Sequence, residues 1–507
     1  MAASACDPPL MGGLADGFGL ALDRSLRRFR DGTVLAGGRP GRVITLTAQG
    51  AGALDAVVGG EGASGAVAEL AGRLVQAGMA HPRRRGSMAS PAADSADGAD
   101  SGDSGDSADG ADSGDGADGA VASVTIVVPA HDRPAALERC LSSMDGTVPV
   151  IVVDDASRDP APIAAVCAFH GARLIRRTDN GGPGVARNDA LAVVDTDLVA
   201  FVDSDCTVSA GWLDGLTWLF DDPTIGAVAP RIRAAVPSDG PGNRAIDRFS
   251  RSHSPLDLGP HEGEVGPRRA VRYVPTAALV VRRDALAAVT GFDADLRVGE
   301  DVDLVWRLVE AGWRVRYVPT VTVSHAEPDR WRPLLARRLR YGTSAAPLST
   351  RHPGKLAPVE LRPLATLAAL AALSGRPRVA ITALTCSALT LTRTVRSLGV
   401  PAAQAWTWSV QGAAWTAIGL GRSTTMLAGP VLAVAVIRGG RGRRAALALA
   451  VLPPVVEWVR TQPDLDLPRW VAASIADDVA YGAGVWLGCL RTRSWGPLLP
   501  TAGSWGR

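Results

Sequence analysis

Two aspartates separated by one residue give the strongest chemical signal in this sequence. Asp203 and Asp205 follow the apolar run LVAFV in the segment FVDSDC, so we expect them where a strand ends in a turn. Carboxylates at this spacing can bind one divalent cation, which then accepts anionic oxygens from a ligand such as a nucleotide diphosphate. An ordinary turn with solvated carboxylates has the same residues, so the pair alone does not decide the function.

A second group of candidate residues precedes this pair. Asp154 and Asp155 end the run PVIVVDDAS, where a carboxylate can accept hydrogen bonds from a base or a ribose. The segment NGGPGVARN (180–188) follows, and its glycines allow a close approach of the backbone to a ligand. Arg187 in this segment can face a phosphate or a base. The alternative is a glycine-rich turn that only begins a helix.

A third group contains acids and a histidine. Glu300, Asp301 and Asp303 stand at the start of the amphipathic pattern GEDVDLVWRL. A helix N-terminus tolerates negative charge for purely electrostatic reasons, but such a carboxylate can also be a general base for an acceptor hydroxyl. His325 ends the run YVPTVTVSH and is a candidate third metal ligand, although a single histidine at a strand end is often structural.

The elements that position these residues alternate between strands and helices. The runs SVTIVVPA, PVIVVDDAS, ARLIRRT and DLVAFVDSD predict strands, and residues 135–144 and 163–170 show helical patterns. This alternation predicts a parallel sheet in an α/β domain. The polar residues all come at the carboxyl ends of the predicted strands, where open α/β sheets bind their ligands.

The joint order of these motifs resembles glycosyltransferase family 2. The motifs that carry the resemblance are PAHDR, VDDAS, GGPGVARN, DSD and EDVDLVWRL followed by a histidine at a strand end, over residues 124–341. The resemblance implies an α/β GT-A fold, which is a Rossmann-like, mostly parallel sheet. It also implies transfer of a sugar from a nucleotide diphosphate, typically UDP, with inversion of configuration.

The same resemblance implies roles for individual residues. Asp301 is expected to be the catalytic base, with Glu300 beside it. The expected ligands of Mg²⁺ or Mn²⁺ are Asp203, Asp205 and His325. The expected donor-binding residues are Pro129, His131, Asp154, Asp155, Gly182, Arg187, Asn188, Asp203 and Arg340. His131 stands where many family members have an asparagine.

The segment LARRLRYG resembles the QxxRW segment of processive family members. Arg337, Arg340 and Tyr341 are its candidates for closing over the diphosphate, with arginine in place of glutamine and tyrosine in place of tryptophan. A solvated basic helix is the alternative.

The sequence divides into four parts. Residues 1–84 predict a small module in which TVLAGGRPGRVITLT forms a hairpin and GAVAELAGRLVQAGM forms a helix. Residues 85–121 are acidic and contain almost no large apolar side chain, so we expect a flexible linker that cannot offset its ordering entropy. Residues 122–356 hold the motifs, and residues 357–507 predict an apolar, Ala/Leu-rich helical region.

A narrower resemblance covers nearly the whole chain except the acidic linker. The segments DRSLRRFRDGTVLAGGRPGRVITLT, VPTAALVVRR and RYGTSAAPLSTRHPG are similar to those of the mycofactocin-system glycosyltransferases of actinobacteria. The first part also resembles the PqqD-type domains that bind precursor peptides. These resemblances imply transfer of β-linked glucose from UDP-glucose to the peptide-derived redox cofactor mycofactocin or its precursor. The module would either bind the peptide, through an edge strand, or form a structural cap.

Composition limits the other classes of function. The chain has 53 basic and 51 acidic side chains and a net charge of +2, which does not favour nucleic acid as a partner. The cysteines form no CxxC pair, so neither a disulfide framework nor a zinc site is expected. We expect a cytoplasmic protein, because the N-terminus has no basic start followed by an apolar run. The six cysteines are Cys6, Cys140, Cys167, Cys206, Cys386 and Cys489.

A membrane surface is a further candidate partner, because the C-terminal region is apolar. Residues 402–421 contain no charged side chain and are about as long as a bilayer crossing, and 424–437 are also apolar but include Pro430. Buried helices of a soluble protein show the same pattern. The second functional hypothesis is therefore a membrane-associated glycosyltransferase with a lipid or polysaccharide acceptor, at the inner face of the cell membrane. A third, a peptide-binding scaffold without catalysis, is disfavoured by the intact acidic motifs.

Overall fold

A computed structural model describes residues 13–15, 17–38, 41–84, 123–235, 244–267 and 269–502. The predicted acidic linker at 85–121 and Cys6 lie outside the described residues. The described chain forms an N-terminal module, an α/β domain that contains the candidate site, and a C-terminal group of helices.

The N-terminal module combines short antiparallel strands with two helices. Three strands form one small sheet in the order β2-β3-β4, and β1 pairs with β5. The predicted hairpin is the β3–β4 pair, and the predicted helix is α2. The elements are β1 (Phe18–Leu22), β2 (Arg27–Phe29), β3 (Val34–Gly37), β4 (Arg42–Thr45), α1 (Ala48–Val58), α2 (Gly65–Gln76) and β5 (Ala80–Arg84).

The α/β domain is built on a nine-stranded sheet. Its order is β10-β14-β11-β13-β9-β6-β7-β8, with β12 beside β14. Strands β8, β7, β6 and β9 are parallel, and β13 is antiparallel to both of its neighbours. The strands are β6 (Val124–Ala130), β7 (Val150–Asp154), β8 (Arg173–Arg176), β9 (Leu198–Val202), β10 (Cys206–Val208), β11 (Ile225–Ala234), β12 (Gly263–Glu264), β13 (Ala278–Arg282) and β14 (Arg314–His325).

Both faces of this sheet are covered, which explains why its central strands are apolar throughout. Ile126 and Val128 of β6 belong to one hydrophobic cluster, and Val127 belongs to the cluster on the other face. The helices of the domain are α3 (Pro134–Ser142), α4 (Ala161–Phe169), α5 (Pro183–Leu191), α6 (Asp214–Thr217), α7 (Ala245–His253), α8 (Arg283–Ala288), α9 (Glu300–Glu310), α10 (Trp331–Gly342) and α11 (Ala345–Arg351).

The C-terminal region is helical apart from two short strands that pair in parallel. The two predicted apolar stretches are one long helix, α14, with a kink at Ala428 shortly before Pro430. By length and composition this is the one helix in the described ranges that could cross a membrane. The elements are β15 (Glu360–Leu361), α12 (Pro363–Leu373), α13 (Pro377–Arg396), α14 (Ala402–Arg438), α15 (Gly440–Thr461), α16 (Leu467–Thr492) and β16 (Thr501–Ala502).

Helix α16 packs tightly against α10, the helix that follows His325 in the chain. A Cβ atom on Gly342 would lie 2.1 Å from the backbone oxygen of Tyr481, and one on Gly484 would lie 1.9 Å from that of Leu339. Such distances leave no room for any side chain larger than a hydrogen at either position. The C-terminal region therefore packs directly against the α/β domain through α16 and α10.

Candidate active site

The predicted site residues converge at the carboxyl ends of β6, β7 and β9. His131 follows β6, Asp155 follows β7 and Asp203 follows β9. The imidazole Nδ1 of His131 lies 2.9 Å from the backbone oxygen of Asp155, and the Asn180 amide donates to the same oxygen at 3.1 Å. These contacts join the first two strand ends to the glycine-rich loop and form one continuous edge.

Asp155 organises the glycine-rich loop. Its carboxylate accepts hydrogen bonds from the backbone N–H groups of Gly181 (2.9 Å) and Gly182 (2.7 Å), and it pairs with Arg177 at 2.5 Å. Gly182 has a φ of +89°, a conformation that favours glycine. The loop that opens α5 is thus shaped around this carboxylate, while a contact between Asp155 and a donor remains a prediction.

Asp154 is fully buried one residue earlier. Its Oδ1 accepts from the backbone N–H of Ser157 at 2.9 Å and from the Ser157 hydroxyl at 2.5 Å, and its Oδ2 pairs with Arg176. Both oxygens are therefore engaged within the protein. In this arrangement Asp154 holds the turn after β7, and its role in binding the nucleotide-sugar donor stays a prediction.

Arg187 lies between the two acidic groups that the sequence singled out. Its guanidinium donates to Asp203 at 2.5 Å and to Glu300 at 3.3 Å, and it lies 5.3 Å from the centre of the Phe292 ring. The side chain is 2% exposed. Burial lowers the pKa of Arg187, but the carboxylates of Asp203 and Glu300 outweigh this and raise it, so the guanidinium remains a fixed positive charge.

Asn188 connects α5 to the loop that precedes α9. Its amide donates to the backbone oxygen of Phe292 at 2.7 Å and accepts from the backbone N–H of the same residue at 2.9 Å. This pair of bonds sets the Phe292 ring beside Arg187. The side-chain amide is therefore occupied by the protein, and its predicted donor contact remains a prediction.

Asp205 and His325 meet across two antiparallel strands. Cys206, at the start of β10, pairs with His325 at the end of β14, and this register brings His325 Nε2 to 3.5 Å from Asp205 Oδ1. Arg133 donates to the other oxygen of Asp205 at 3.1 Å. Burial lowers the pKa of His325, so its ring is neutral and can offer a lone pair.

The side chains of Asp203, Asp205 and His325 are chemically suitable ligands for a divalent cation, since such a cation binds carboxylate oxygens and neutral imidazole nitrogens. One oxygen of Asp203 already binds Arg187, and the described part of the chain contains no group of three His, Cys, Asp or Glu side chains close enough to hold a metal by themselves. Asp203 and Asp205 are both half-buried, and this burial raises the pKa of Asp203, as does the neighbouring Asp205 carboxylate.

Asp301 stands in the first turn of α9. Burial raises its pKa from an ordinary 3.8 to about 7, and the neighbouring carboxylate of Glu300 adds to the shift. The backbone N–H of Val302 donates to Oδ1 at 2.8 Å. A carboxylate with a pKa near neutrality is suited to take a proton from a hydroxyl and to release it again. Burial likewise raises the pKa of Glu300.

The remaining residues predicted to bind the donor lie in β6, just after it, and on α10. Pro129 lies within β6, opposite Val153 of β7, and the His131 side chain is partly exposed. Arg340 is exposed on α10. Arg337 pairs with Glu327 and lies 5.9 Å from the centre of the Tyr341 ring, so the segment similar to QxxRW is fixed partly by contacts within the protein.

Several residues of the site escaped the sequence reasoning. Arg133 lies in the motif PAHDR and Arg177 in the predicted strand ARLIRRT, and their charge beside the aspartates at the strand ends was the available signal. Phe292 and Glu327 lie outside the motifs as read from the sequence. Phe292 is brought to the site by hydrogen bonds with a residue 104 positions away, a distance that no local pattern reveals.

Comparison with known proteins identifies relatives that are glycosyltransferases. The family described as glycosyl transferase family 2 matches residues 125–287. The chain is 35% identical over 506 residues to the pre-mycofactocin glycosyltransferase of Mycobacterium tuberculosis, covering 96% of this chain and 98% of the relative. It is 31% identical over 222 residues to the N-acetylglucosaminyl-diphospho-decaprenol L-rhamnosyltransferase of the same species, covering 37% of this chain and 71% of that protein.

Proposed function

Since this chain belongs to the glycosyltransferase family that includes the pre-mycofactocin glycosyltransferase, we propose that it transfers glucose from UDP-glucose to the peptide-derived redox cofactor mycofactocin or its precursor. The likeness to that relative runs the length of both chains, which supports a shared acceptor. The observation that carries the catalytic part of the proposal is the pair of acidic groups on either side of Arg187: Asp203 and Asp205 on one side, and Glu300 and Asp301 on the other.

The proposed reaction is a single displacement. The acceptor hydroxyl oxygen forms a bond to the anomeric carbon while the bond from that carbon to the diphosphate oxygen breaks, and the hydroxyl proton passes to Asp301. Because attack comes from the face opposite the leaving group, the configuration inverts. Arg187, fixed by Asp203 and Glu300, keeps the two acidic groups apart and supplies a permanent positive charge near the departing diphosphate.

A divalent cation, Mg²⁺ or Mn²⁺, is proposed as the cofactor. Asp203, Asp205 and His325 would hold it, with the donor diphosphate as further ligand, and it would neutralise negative charge on the leaving UDP. The neutral imidazole of His325 near Asp205 supports this assignment.

The direct test combines the purified protein with UDP-glucose, Mn²⁺ and the peptide-derived acceptor. Mass spectrometry should show hexose additions to the acceptor, and NMR of the product should show a β linkage. Release of UDP without a change in acceptor mass would retain the transferase reaction and reject this acceptor. An α linkage would reject the single displacement.

The N-terminal module is proposed to bind the peptide part of the acceptor through β4, an edge of its three-stranded sheet. Hydrogen exchange measured with and without the precursor peptide tests this. Slower exchange of the amides of β4 (Arg42–Thr45) on adding peptide supports binding there. Unchanged exchange throughout the module would leave it as a structural cap.

We also propose that the C-terminal helices rest on an anionic membrane surface. Helix α14 buries small and polar residues and exposes large apolar ones, the reverse of a soluble helix. Residues 363–461 include ten arginines and one acid, Glu457, which favours anionic lipid headgroups. The buried set is Ala405, Ser409, Thr416, Gly421 and Thr425. The exposed set is Trp406, Val410, Trp415, Val431, Val434 and Ile437.

Sedimentation with vesicles tests this location. The full chain should pellet with phosphatidylglycerol vesicles and much less with phosphatidylcholine vesicles. The double variant Arg443→Glu with Arg444→Glu should weaken binding, whereas Arg173→Glu, an exposed position on β8, should not. If the wild-type protein stays in solution with both vesicle types, the membrane location is wrong, and a lipid-linked acceptor loses its support.

A further inference from the structure

Glu327 follows His325 by two residues and is almost as deeply buried. Its side chain is 7% exposed. One carboxylate oxygen accepts from the Ser254 hydroxyl at 2.7 Å and lies 3.4 Å from His325 Nδ1, and the other pairs with Arg337. The pairing with Arg337 and the hydrogen bond from Ser254 offset the cost of burying this acid, and they hold its carboxylate directly behind the imidazole of His325.

We infer that Glu327 is a positioning residue that fixes the ring of His325 for metal binding. The inference rests on the proposed metal-dependent transfer. An imidazole that binds a metal through one nitrogen commonly donates the N–H of its other nitrogen to a carboxylate, which sets the tautomer and the ring orientation. Here Nδ1 faces Glu327 and Nε2 faces Asp205, which is the arrangement such a role requires.

The hydrogen bonding of His325 Nδ1 supports the same conclusion. This atom is buried and has no hydrogen-bond partner within bonding geometry among the described residues. The carboxylate of Glu327 is the acid beside it, at 3.4 Å. A small rotation of the ring would complete an N–H to carboxylate bond and would leave the lone pair of Nε2 directed toward Asp205 and a cation.

Glu327 also connects this histidine to the helices beside the site. Through Arg337 it holds α10, and the next residue of that helix, Arg338, pairs with Asp477 of α16 at 2.7 Å. Through Ser254 it holds the segment after α7. The same carboxylate thus orders both the imidazole and the elements that flank it.

The test measures Mn²⁺ affinity directly, by the electron paramagnetic resonance signal of free Mn²⁺ in the presence of the full chain and UDP. Glu327→Ala should weaken Mn²⁺ binding about 10- to 100-fold, the usual effect of losing such a partner. Glu327→Gln, which keeps the shape and one acceptor oxygen, should give a smaller loss. The matched control is Glu264→Gln, because Glu264 is also 7% exposed and pairs with basic side chains, Arg314 and Arg269, beside the opposite end of β14 from His325.

The outcomes separate this inference from the proposed function. If the wild-type protein binds Mn²⁺ and the folded Glu327 variants bind it equally tightly, the positioning role is wrong while the metal site stands. If wild type binds no Mn²⁺ with UDP present, the metal-dependent proposal fails and this inference fails with it. A loss of Mn²⁺ affinity in Glu264→Gln equal to that in Glu327→Gln would also overturn the assignment, since it would reflect general destabilisation. Circular dichroism spectra identify the folded variants, and Glu327→Gln decides the result if Glu327→Ala does not fold.

Discussion

At the scale of single residues, we propose that the acids of the site have two different tasks, and their surroundings differ accordingly. Asp301 is half-buried, and this burial together with the neighbouring carboxylate of Glu300 raises its pKa to about 7. Asp205, by contrast, has Arg133 at 3.1 Å and His325 at 3.5 Å. Arg187 lies between the two groups. Burial disfavours the charged form of a carboxylate, so Asp301 suits the proton transfer that we propose for it. The carboxylate of Asp205 lies instead beside His325, the other proposed ligand of the cation.

Replacing Asp301 with asparagine should lower kcat by about 10²- to 10⁴-fold, because the side chain can no longer accept a proton. UDP binding should change little. In the wild-type protein kcat/KM should rise with pH to a plateau, with a midpoint near pH 7, as the carboxyl loses its proton. Initial rates from pH 5 to 9 and calorimetric titration with UDP measure both effects. A variant that turns over at the wild-type rate would remove Asp301 as the base.

The same substitution should stabilise the fold at high pH. A folded pKa of about 7 against an ordinary 3.8 means that the native state holds the proton more tightly. The resulting stability is complete below about pH 4 and is lost as pH rises through 7. Asp301→Asn should therefore raise the free energy of unfolding at pH 8 by roughly 1–4 kcal/mol, with a higher melting temperature than wild type, and should change both little at pH 4. Asp195→Asn, an exposed aspartate, should show no such pH-dependent difference in thermal melting.

The sequence predicts which candidate residues lie at strand ends, but it does not predict which side chains they contact. Asp203 and Asp205 follow an apolar run, so their position at the sheet edge was predictable. The contact between Arg187 and Glu300 joins residues 113 positions apart, and it depends on how β13 and the loop after α8 fold back onto α5. Periodicity reports local structure only, so such contacts had to come from the three-dimensional structure.

At the scale of elements, the predicted α/β GT-A fold is confirmed, and the four predicted strands are β6, β7, β8 and β9. The antiparallel β13 between β9 and β11 was not predicted, because a strand buried on both faces shows no sign of its direction. The pairing of Cys206 with His325 depends on the register of β10 against β14. That register decides whether the histidine reaches Asp205, and the order of motifs alone does not contain it.

The start of α9 depends on a glycine. Gly299 has a φ of +83°, and a Cβ there would lie 2.8 Å from the Cβ of Ser344 and 2.9 Å from Cδ1 of Leu348. Gly299→Ala should therefore lower the melting temperature and also lower kcat, since α9 holds Glu300 and Asp301. Gly354 is the matched control, because it has a φ of +76° but nothing within 4 Å of a Cβ.

Gly354→Ala should cost only the backbone strain, about 1 kcal/mol. Gly299→Ala should cost about 1–3 kcal/mol in addition, because the side chains of both neighbours must move. Thermal melting of both variants and their kcat values make the comparison. Equal effects of the two substitutions would show that the packing around Gly299 does not position α9.

At the scale of the whole molecule, the N-terminal module is bound to both of the other parts. Val34 of its small sheet packs with Val395, Val400 and Ala405 of the C-terminal region. The module also contacts the α/β domain, where Arg83 pairs with Glu262 at 2.8 Å. The sequence indicated a separate module followed by a linker, and these contacts could not be predicted because they join surfaces that are distant in the chain. A module packed this way stabilises the whole protein whether or not it also binds a peptide.

The contact between the module and the α/β domain centres on Glu262. Its carboxylate lies 2.5 Å from Arg316, which is fully buried, and 3.8 Å from His81 of the module. Burial raises the pKa of Glu262, but Arg316, His81 and Arg83 outweigh it and hold the pKa below its usual range. The pairing therefore stabilises the protein above the ordinary pKa of glutamate and ceases to do so as pH falls through the folded value.

Glu262→Gln should leave the buried charge of Arg316 without its carboxylate, a loss of about 3–5 kcal/mol. The matched control is Asp55→Asn, which breaks an ion pair with Arg28 at the surface of the same module and should cost less than about 1 kcal/mol. Limited proteolysis at pH 7 should release the module from the Glu262 variant faster than from wild type, and thermal melting should give a lower midpoint. Cleavage at the wild-type rate, with an unchanged midpoint, would mean that apolar packing against the C-terminal helices holds the module in place and that the ion cluster contributes only to its orientation.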